Sequence, residues 1–468
     1  MSSNPSRAAE GIEQELYAKR QKIYPREVHG LFARLRVTAV VSLLGLYYIV
    51  PWFRWDDRQA VLFDLPARKF YIFGLVFWPQ DFFYLSGLLI IAALSLFFFT
   101  ALAGRLWCGY ACPQTVWTEA FMWLERIIEG EWSKQMKLDK APWSGHKVLV
   151  KTIKHTVWIV FALWTGFTFV GYFTPILELG AKLLTFSTGP WETFWVFFYG
   201  FATYGNAGWL REQVCIYMCP YARFQSAMFD KNTLVISYDE NRGEPRGGRK
   251  RGSDPKAQGL GDCINCRICV QVCPTGIDIR DGLQYQCIGC AACIDACDDV
   301  MDRMGYARGL VLYTTENTLE GRPTRVLRPR VIVYAVILVM LLGAVVYGIA
   351  TRNPVGLDVI RDRNALFRET NEGFIENIYT LKILNKSDRD YTFGITASGI
   401  PGLKLVSDQP TVLVVGGAVA NIVVRVQLDF ADLKASTNAI NFTVQAVDDD
   451  RMKAQEPARF LGPRGIER

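Results

Sequence analysis

Eight of the twelve cysteines in this 468-residue chain fall into two short runs. Residues 263–274 read CINCRICVQVCP, which is the C-x2-C-x2-C-x3-C-P spacing of bacterial ferredoxins, and residues 287–297 read CIGCAACIDAC. Closely spaced thiols wrap the chain around three corners of an iron–sulfur cube, while the last thiol of each run reaches the neighbouring cube. The spacing therefore predicts two [4Fe–4S] clusters, one held by Cys263, Cys266, Cys269 and Cys297 and the other by Cys287, Cys290, Cys293 and Cys273.

A pair of zinc sites is the alternative, because C-x2-C pairs also bind zinc. Zinc motifs, however, seldom place three cysteines in tandem and a fourth after three further residues, so the spacing favours iron–sulfur clusters. The second run departs from an ordinary ferredoxin in that Asp298 replaces the expected proline. The connection between the two runs is also short. Neither departure removes a ligand.

The four remaining cysteines form a second repeat, CGYACP at 108–113 and CIYMCP at 215–220. Pro113 and Pro220 suit the first position of a helix, which would place a cysteine at each helix N-terminus and favour its thiolate. The repeat indicates a redox or metal site, with Cu(I) suited to soft thiolates. A further [4Fe–4S] cluster and a dithiol/disulfide relay are chemical alternatives, and a small apolar packing role is the simplest one. The four candidates are Cys108, Cys112, Cys215 and Cys219.

Five apolar segments that could cross a membrane must position these cysteines. A helix after the first C-x3-C-P motif is predicted to be amphipathic, with Val116, Ala120, Leu124, Ile127 and Ile128 on its apolar face. Flanking Lys and Arg place the N-terminus, the 104–155 loop and the 210–330 segment in the cytoplasm and the C-terminus outside. No cleavable signal peptide is predicted. The segments are about 37–53, 83–103, 156–173, 191–209 and 331–350.

The rest of the chain divides by composition. Six runs with strand-like patterns, 378–384, 391–395, 404–406, 411–415, 420–428 and 439–447, predict a C-terminal immunoglobulin-like sandwich, which we interpret as a structural or partner-binding domain. The basic stretch 242–256 is a linker that could also contact anionic lipid. The predicted order is a cytoplasmic arm (1–36), a four-span membrane domain (37–230), a ferredoxin-like domain (231–330), a fifth transmembrane helix (331–350) and a periplasmic all-β domain (351–468).

Composition excludes several classes of protein. Half of the residues are hydrophobic and only 21% are charged, which rules out a disordered chain. The net charge is +7, but Lys and Arg cluster beside apolar segments rather than on one soluble face. Nucleic-acid binding is therefore not predicted. Three histidines leave no pair at membrane depth for a haem. No G-x-G-x-x-G or P-loop pattern supports a nucleotide cofactor.

The motifs WCGYACPQTVWTE (107–119), REQVCIYMCPYARFQSAMFD (211–230) and CIDACDDVM (293–301) resemble those of the CcoG/FixG/RdxA family. Members of this family are cytochrome c oxidase accessory proteins of bacteria that make cbb-type oxidases. The resemblance covers nearly the whole chain, and it implies an inner-membrane electron-transfer protein that reduces Cu(II) to Cu(I) for the oxidase. On this resemblance the copper-handling residues are Cys108, Cys112, Cys215 and Cys219.

The resemblance implies partners of three kinds: a cytoplasmic electron donor, a copper chaperone or copper transporter, and the cbb-type oxidase or its assembly factors. Two other functions remain open. A quinol-linked electron-transfer subunit would show quinol-dependent cluster reduction without copper. A non-catalytic assembly factor would depend on its outer β-domain and use the clusters only for stability.

Overall fold

A computed structural model describes residues 22–255, 258–387, 389–433 and 435–463. Most of the predicted N-terminal arm, the end of the basic linker and the last five residues lie outside these ranges. Within them, four helices are long and apolar enough to cross a membrane: Leu31–Trp52, Pro79–Ala103, Gly145–Val170 and Pro329–Ala350.

The fourth predicted span takes a different form. It consists of an α-helix of 14 residues, Pro190–Thr203, that continues into a π-helical segment, Tyr204–Leu210. The α-helix alone is about 21 Å long at 1.5 Å per residue, shorter than the roughly 30 Å hydrocarbon core. It packs closely on Gly145–Val170, because a Cβ on Gly166 would lie 2.2 Å from the Val196 carbonyl oxygen.

Shorter helices surround the cysteine motifs. The first motif helix, Pro113–Glu129, and the second motif helix, Pro220–Ala227, both begin at the predicted proline. The predicted apolar face of the first motif helix is only partly right, because Ile127 is exposed and Glu125 and Glu129 are buried. The other helices of this region are Leu106–Tyr110, Trp132–Lys140, Glu240–Gly243, Ile268–Gln271, Ala292–Met304 and Glu316–Leu319.

The described residues form two compact units. Of the described residues, one unit takes those within 22–49, 92–170 and 185–338, and the other takes those within 50–91, 171–184 and 339–463. In the first unit, the strands Val235–Tyr238 and Val311–Thr314 pair antiparallel with each other. One precedes and the other follows the ferredoxin motifs in the sequence. Their buried side chains pack with Met301, Cys263 and Cys269 in one core.

The second unit contains an antiparallel β-sandwich. One sheet has the order Lys404–Val406, Val419–Asp429, Phe374–Asn385 and Val355–Arg361, with Arg368–Glu369 beside the third strand. The other has the order Thr411–Val414, Tyr391–Ser398, Thr437–Ala446 and Lys453–Leu461. All six predicted strands are present. Val355–Arg361 and Lys453–Leu461, both at sheet edges, were not predicted, since a glycine and a proline respectively interrupt them.

A three-stranded sheet, which the sequence did not predict, also belongs to the second unit. Its strands are Val61–Asp64, Lys69–Ile72 and Leu75–Phe77, with Arg54–Trp55 and Arg58–Gln59 pairing just before them. Trp78 packs against Leu384 of the sandwich. The buried carboxylate of Asp81 pairs with Arg352 and, at 3.5 Å, with Lys386. These contacts join the sheet to the sandwich. The same unit includes the helix Ile176–Leu184.

Candidate metal centres

The first ferredoxin motif, 263–273, curls around a cavity. Asn265 and Arg267 adopt left-handed backbone conformations, with φ of 52° and 56°, on either side of Cys266. These two turns bend the chain so that successive thiols face the same space. The helix Ala292–Met304 brings a fourth thiol from the second motif. The cysteines that line this first cavity are Cys263, Cys266, Cys269 and Cys297.

The second ferredoxin motif, 287–297, repeats the same backbone. Gly289 and Ala291, on either side of Cys290, have φ of 69° and 60°. They correspond to Asn265 and Arg267 on either side of Cys266 in the first motif. Left-handed conformations of non-glycine residues are uncommon and cluster at ligand sites. A second cavity lies here, and Cys269 contributes to its wall. The predicted ligands that line it are Cys273, Cys287, Cys290 and Cys293.

The residues around both cavities fit iron–sulfur cubes. Both walls are mostly apolar, and burial raises the pKa of Cys287 and of Cys297 to about 12. Thiolates in such places need cations to balance them. No three His, Cys, Asp or Glu side chains among the described residues are arranged to hold one metal ion. In a cube each thiolate binds a different iron, so its thiols stand farther apart than around a single zinc.

The other four cysteines also come together, in a group that we term the four-thiol site. Cys108 lies in the short helix Leu106–Tyr110 and Cys215 in the π-helical segment Val214–Met218. Cys112 and Cys219 are the N-cap residues of the two motif helices. The charge of each of the other three thiols would affect Cys108, which shows that the group is compact. All four are partly buried.

The sequence predicts that a helix N-terminus favours the thiolate, but the burial of Cys112 acts against it. Burial raises the pKa of Cys112, although the main-chain N–H groups of Gln114 and Thr115 act in the opposite direction. Burial and the neighbouring thiols also raise the pKa of Cys108 and of Cys215 to about 12. Burial therefore favours the protonated form of Cys108, Cys112 and Cys215, and a bound metal cation would displace their protons.

A buried ionic cluster supports the four-thiol site. Arg211 has a left-handed φ of 46°, and its guanidinium lies 2.5 Å from Glu125 of the first motif helix. Lys154 lies 3.3 Å from Glu125 and 2.8 Å from Glu129. Burial alone would raise the pKa of Glu125, but these cations and Lys22 lower it to about 2. The first C-x3-C-P repeat thereby holds the turn that leads into the second.

Neutral hydrogen bonds support the same turn. The side-chain amide of Gln114 donates to the carbonyl oxygens of Asn206, at 2.9 Å, and Arg211, at 3.1 Å. The hydroxyl of Thr115 donates to the carbonyl oxygen of Cys108 at 2.6 Å. Gln114 and Thr115 both belong to the first turn of the first motif helix, which follows Cys112 directly.

The four-thiol site lies against the second ferredoxin motif. Cys108 and Cys215 pack on a buried cluster that contains Cys290. A Cβ on Gly109 would lie 2.8 Å from the carbonyl oxygen of Gly289, so only glycine allows this approach. The four-thiol site, whose cysteines come from two separate parts of the chain before the ferredoxin motifs, is therefore a neighbour of the second ferredoxin motif.

Three charged residues fasten the ferredoxin region to the helices before it. The main-chain N–H groups of Phe32 and Ala33 donate to Asp295 at 3.2 and 2.6 Å, so Asp295 caps the first apolar helix. Arg36 donates to the carbonyl oxygen of Cys290 at 2.6 Å, and Arg105 to that of Cys287 at 3.1 Å.

Sequence reasoning missed these supporting residues. Glu125 and Glu129, four residues apart within an otherwise apolar helix face, were a signal that could have revealed the ionic cluster. The glycine between the cysteines of CGYACP was a signal for close packing. Nothing local to Asp295 or Arg105 indicates its partner, because that partner is distant in the chain.

A cavity that is open to solvent lies beside the four-thiol site. Cys215 and Cys290 both line it, together with charged side chains of both signs, including Glu119, Glu212 and Arg126. It gives a small solute a route to a thiol of the four-thiol site from the side that also reaches the second ferredoxin motif.

Apolar helices, a two-motif cysteine region and a C-terminal β-sandwich define a membrane protein of the dicluster ferredoxin class. Family models agree: residues 210–316 match a 4Fe–4S dicluster domain, 85–130 a 4Fe–4S binding domain, and 345–463 the IG-like fold at the C-terminus of FixG. The chain belongs to the FixG family, and it is an iron–sulfur redox protein.

Three relatives show how far the similarity extends. The nitrogen fixation protein FixG of Rhizobium meliloti strain 1021 is 39% identical over 434 residues, which cover 85% of this chain and 83% of the relative. The proteins RdxA and RdxB of Cereibacter sphaeroides are 41% and 42% identical over 407 and 416 residues. These matches cover 84% and 86% of this chain, and 86% and 87% of the relatives.

Proposed function

We propose that this protein transfers electrons at the cytoplasmic face of the bacterial inner membrane. With them it reduces Cu(II) to Cu(I) for maturation of a cbb-type cytochrome c oxidase. In this proposal the N-terminus and the ferredoxin region face the cytoplasm and the β-sandwich faces the periplasm. The observation that carries the proposal is the packing of the four-thiol site against the second ferredoxin motif.

Each set of cysteines has a separate role. Cys263, Cys266, Cys269 and Cys297 would hold the first [4Fe–4S] cluster, and Cys273, Cys287, Cys290 and Cys293 the second. When bound, the clusters supply one-electron transfer. The four-thiol site would bind copper, which is the substrate: Cu(II) gains one electron that originates from a cytoplasmic donor, and soft thiolates retain Cu(I). The product would pass to a copper chaperone or transporter.

The surroundings of the four-thiol site suit a copper ion that enters and leaves. The thiols are partly buried, burial raises the pKa of Cys108 and of Cys215 to about 12, and no three of the four are set around one point for a single metal ion. Two thiolates suffice for a linear Cu(I) complex, so transfer between thiol pairs needs little rearrangement. The cavity beside Cys215 provides access.

A cupric reduction assay tests the proposal. The intact, cluster-loaded protein in liposomes, supplied with a one-electron donor, should reduce Cu(II). Replacing Cys108→Ala together with Cys219→Ala should abolish the reduction while iron and acid-labile sulfide stay at wild-type levels. Unchanged cupric reduction in this double variant would refute the role of the thiols.

One observation favours a second candidate. The family model that matches residues 85–130 describes 4Fe–4S binding, and its range includes Cys108 and Cys112 but neither ferredoxin motif. The four-thiol site would then hold a third cluster. Iron analysis separates the two: about eight iron atoms per chain indicate two clusters and a vacant thiol site, and about twelve indicate a third cluster.

A further inference from the structure

The two ferredoxin motifs differ in the charges beside them. At the first cavity Arg280 is the buried cation, and Asp278 balances it with two contacts, 2.8 Å from Nε and 2.5 Å from Nη2. Arg280 also donates to the side chain of Asn265 at 2.6 Å. Asp298, which follows the ligand Cys297 directly, adds a further negative charge. Arg267 also lines this cavity, but it is exposed, so solvent screens its charge. The buried charges near the first cavity therefore sum to neutral or negative.

Beside the second motif two cations, the buried Arg105 and the partly buried Arg36, meet main-chain carbonyls instead of carboxylates. Arg105 is buried, and it donates from Nη1 to the carbonyl oxygens of Tyr285 and Cys287 and from Nη2 to that of Ala222 at 2.5 Å. Arg36 donates to the carbonyl oxygen of Cys290. Among the ion pairs of the described residues, none includes either arginine.

The carboxylate of Asp295 does not distinguish the two cluster sites. It lies on the helix Ala292–Met304, which carries ligands of both sites. Asp295 stands between the ligands Cys293 and Cys297, one from each set, and main-chain N–H groups occupy both of its oxygens. The second ferredoxin motif thus has two positive charges, on Arg36 and Arg105, that no carboxylate balances directly, whereas the corresponding cation of the first motif, Arg267, is exposed to solvent.

Building on the ligand sets of the proposed function, we propose that Arg36 and Arg105 hold the second cluster at a higher reduction potential than the first. A cluster becomes more negative when it gains an electron, and a nearby buried cation favours that state strongly where the dielectric constant is low. One electron leaves the first site and enters the second, with no bond made or broken and no proton moved. Arg36 and Arg105 are positioning residues that give this step its direction.

An electron that moves from the first cluster site to the second moves toward the four-thiol site. Arg105 precedes Cys108 by three residues, and its own carbonyl oxygen lies 3.0 Å from where a Cβ on Gly289 would be. The same arginine therefore links the second motif to the first C-x3-C-P motif. An electron that the two cations draw to the second site lies next to the thiols that would pass it to copper.

A redox titration followed by low-temperature EPR tests the inference on the intact, anaerobically purified protein in detergent. The wild type should show two midpoint potentials. Arg105→Gln and Arg36→Gln should each lower the higher midpoint and leave the lower one in place. Asp278→Asn should raise the lower midpoint, because it leaves Arg280 unbalanced. Arg303→Gln, at an exposed position on the shared helix, should change neither.

Iron and sulfide analysis accompanies each titration. Should Arg105→Gln lose iron, Arg36→Gln and the charge-preserving Arg105→Lys decide the question, and the lysine variant should stay near the wild-type midpoints. Unchanged midpoints in iron-replete arginine variants, or an equal shift of both midpoints, overturn the inference but not the proposed function. Absence of any iron–sulfur signal from the wild type overturns both. Loss of cupric reduction alone affects only the proposed function.

Discussion

The ferredoxin motifs and the four-thiol site arrange their cysteines by opposite means. Each ferredoxin motif sets three of its thiols within seven residues, through two left-handed turns around the middle cysteine. The four-thiol site joins two motifs over 100 residues apart, and Glu125, Arg211 and Gln114 keep them together. Local turns make the first kind robust to changes elsewhere, whereas the second kind depends on every contact between its halves.

The largest expected effect is the loss of one cluster. Cys297→Ser removes a thiol of the first cavity, although Cys297 belongs to the second motif in sequence. With the proposed crossed ligation, we expect roughly half of the iron to be lost and the EPR signal of the second cluster to remain. Iron analysis and EPR of the purified protein measure both. Cys273→Ser is the matched variant, and it should remove the other signal. Loss of the same signal in both variants would contradict crossed ligation.

The next effect concerns the ionic cluster. Glu125→Gln leaves Arg211 and Lys154 without their shared carboxylate, and breaking a buried pair in this way should destabilise the protein by about 3 kcal/mol. Thermal unfolding in detergent measures it. Glu119→Gln, which breaks a more exposed pair with Arg126 on the same helix, should cost less than about 1 kcal/mol. Equal losses in the two variants would argue against a supporting role for the cluster.

The pH dependence of the same cluster has a definite sign. The pKa of Glu125 in the folded protein is lowered, against burial, to about 2 from an ordinary value of 4.5. Its contribution to stability is therefore fully present above about pH 4.5 and is lost only as the pH falls toward 2. Wild type and Glu125→Gln should differ in stability by the same amount at pH 6 as at pH 8, within about 0.5 kcal/mol.

A smaller effect tests the contact between the two regions. Gly109→Ala places a methyl group 2.8 Å from the Gly289 carbonyl oxygen, and such overpacking costs about 1–3 kcal/mol. We expect normal iron content but slower cupric reduction, since the four-thiol site is pushed away from the second motif. Gly205→Ala is the control, because no atom lies within 4 Å of its added Cβ. Equal rates in the two variants would contradict the importance of this contact.

The smallest expected effect comes from removing the neutral hydrogen bonds that hold the turn at Arg211. Gln114→Ala removes two bonds to main-chain carbonyls and should destabilise the protein by about 1 kcal/mol. Gln213→Ala, which loses only a bond to the neighbouring Glu212, should have less effect on thermal unfolding. If Gln213→Ala proves as harmful as Gln114→Ala, the amide of Gln114 does not hold the turn.

The same contrast explains what the sequence could predict. The spacing of the ferredoxin cysteines, the prolines after Cys112 and Cys219 and the six sandwich strands are local patterns, and the structure contains each of these elements. The buried face of the first motif helix was partly mispredicted, because Glu125 and Glu129 are stabilised by cations from other segments. Arg36 and Arg105 could not be recognised as neighbours of the second motif, since no local pattern specifies a bond to a carbonyl so distant in the chain.

The cap that Asp295 provides has a consequence for how the chain is made. The first apolar helix leaves the ribosome early, yet the carboxylate that completes its first turn follows 262 residues after Ala33. Until that segment has been synthesised and has folded, two N–H groups at the start of the helix lack their final partner. Biogenesis of this protein therefore finishes at its amino end only after translation has passed both ferredoxin motifs.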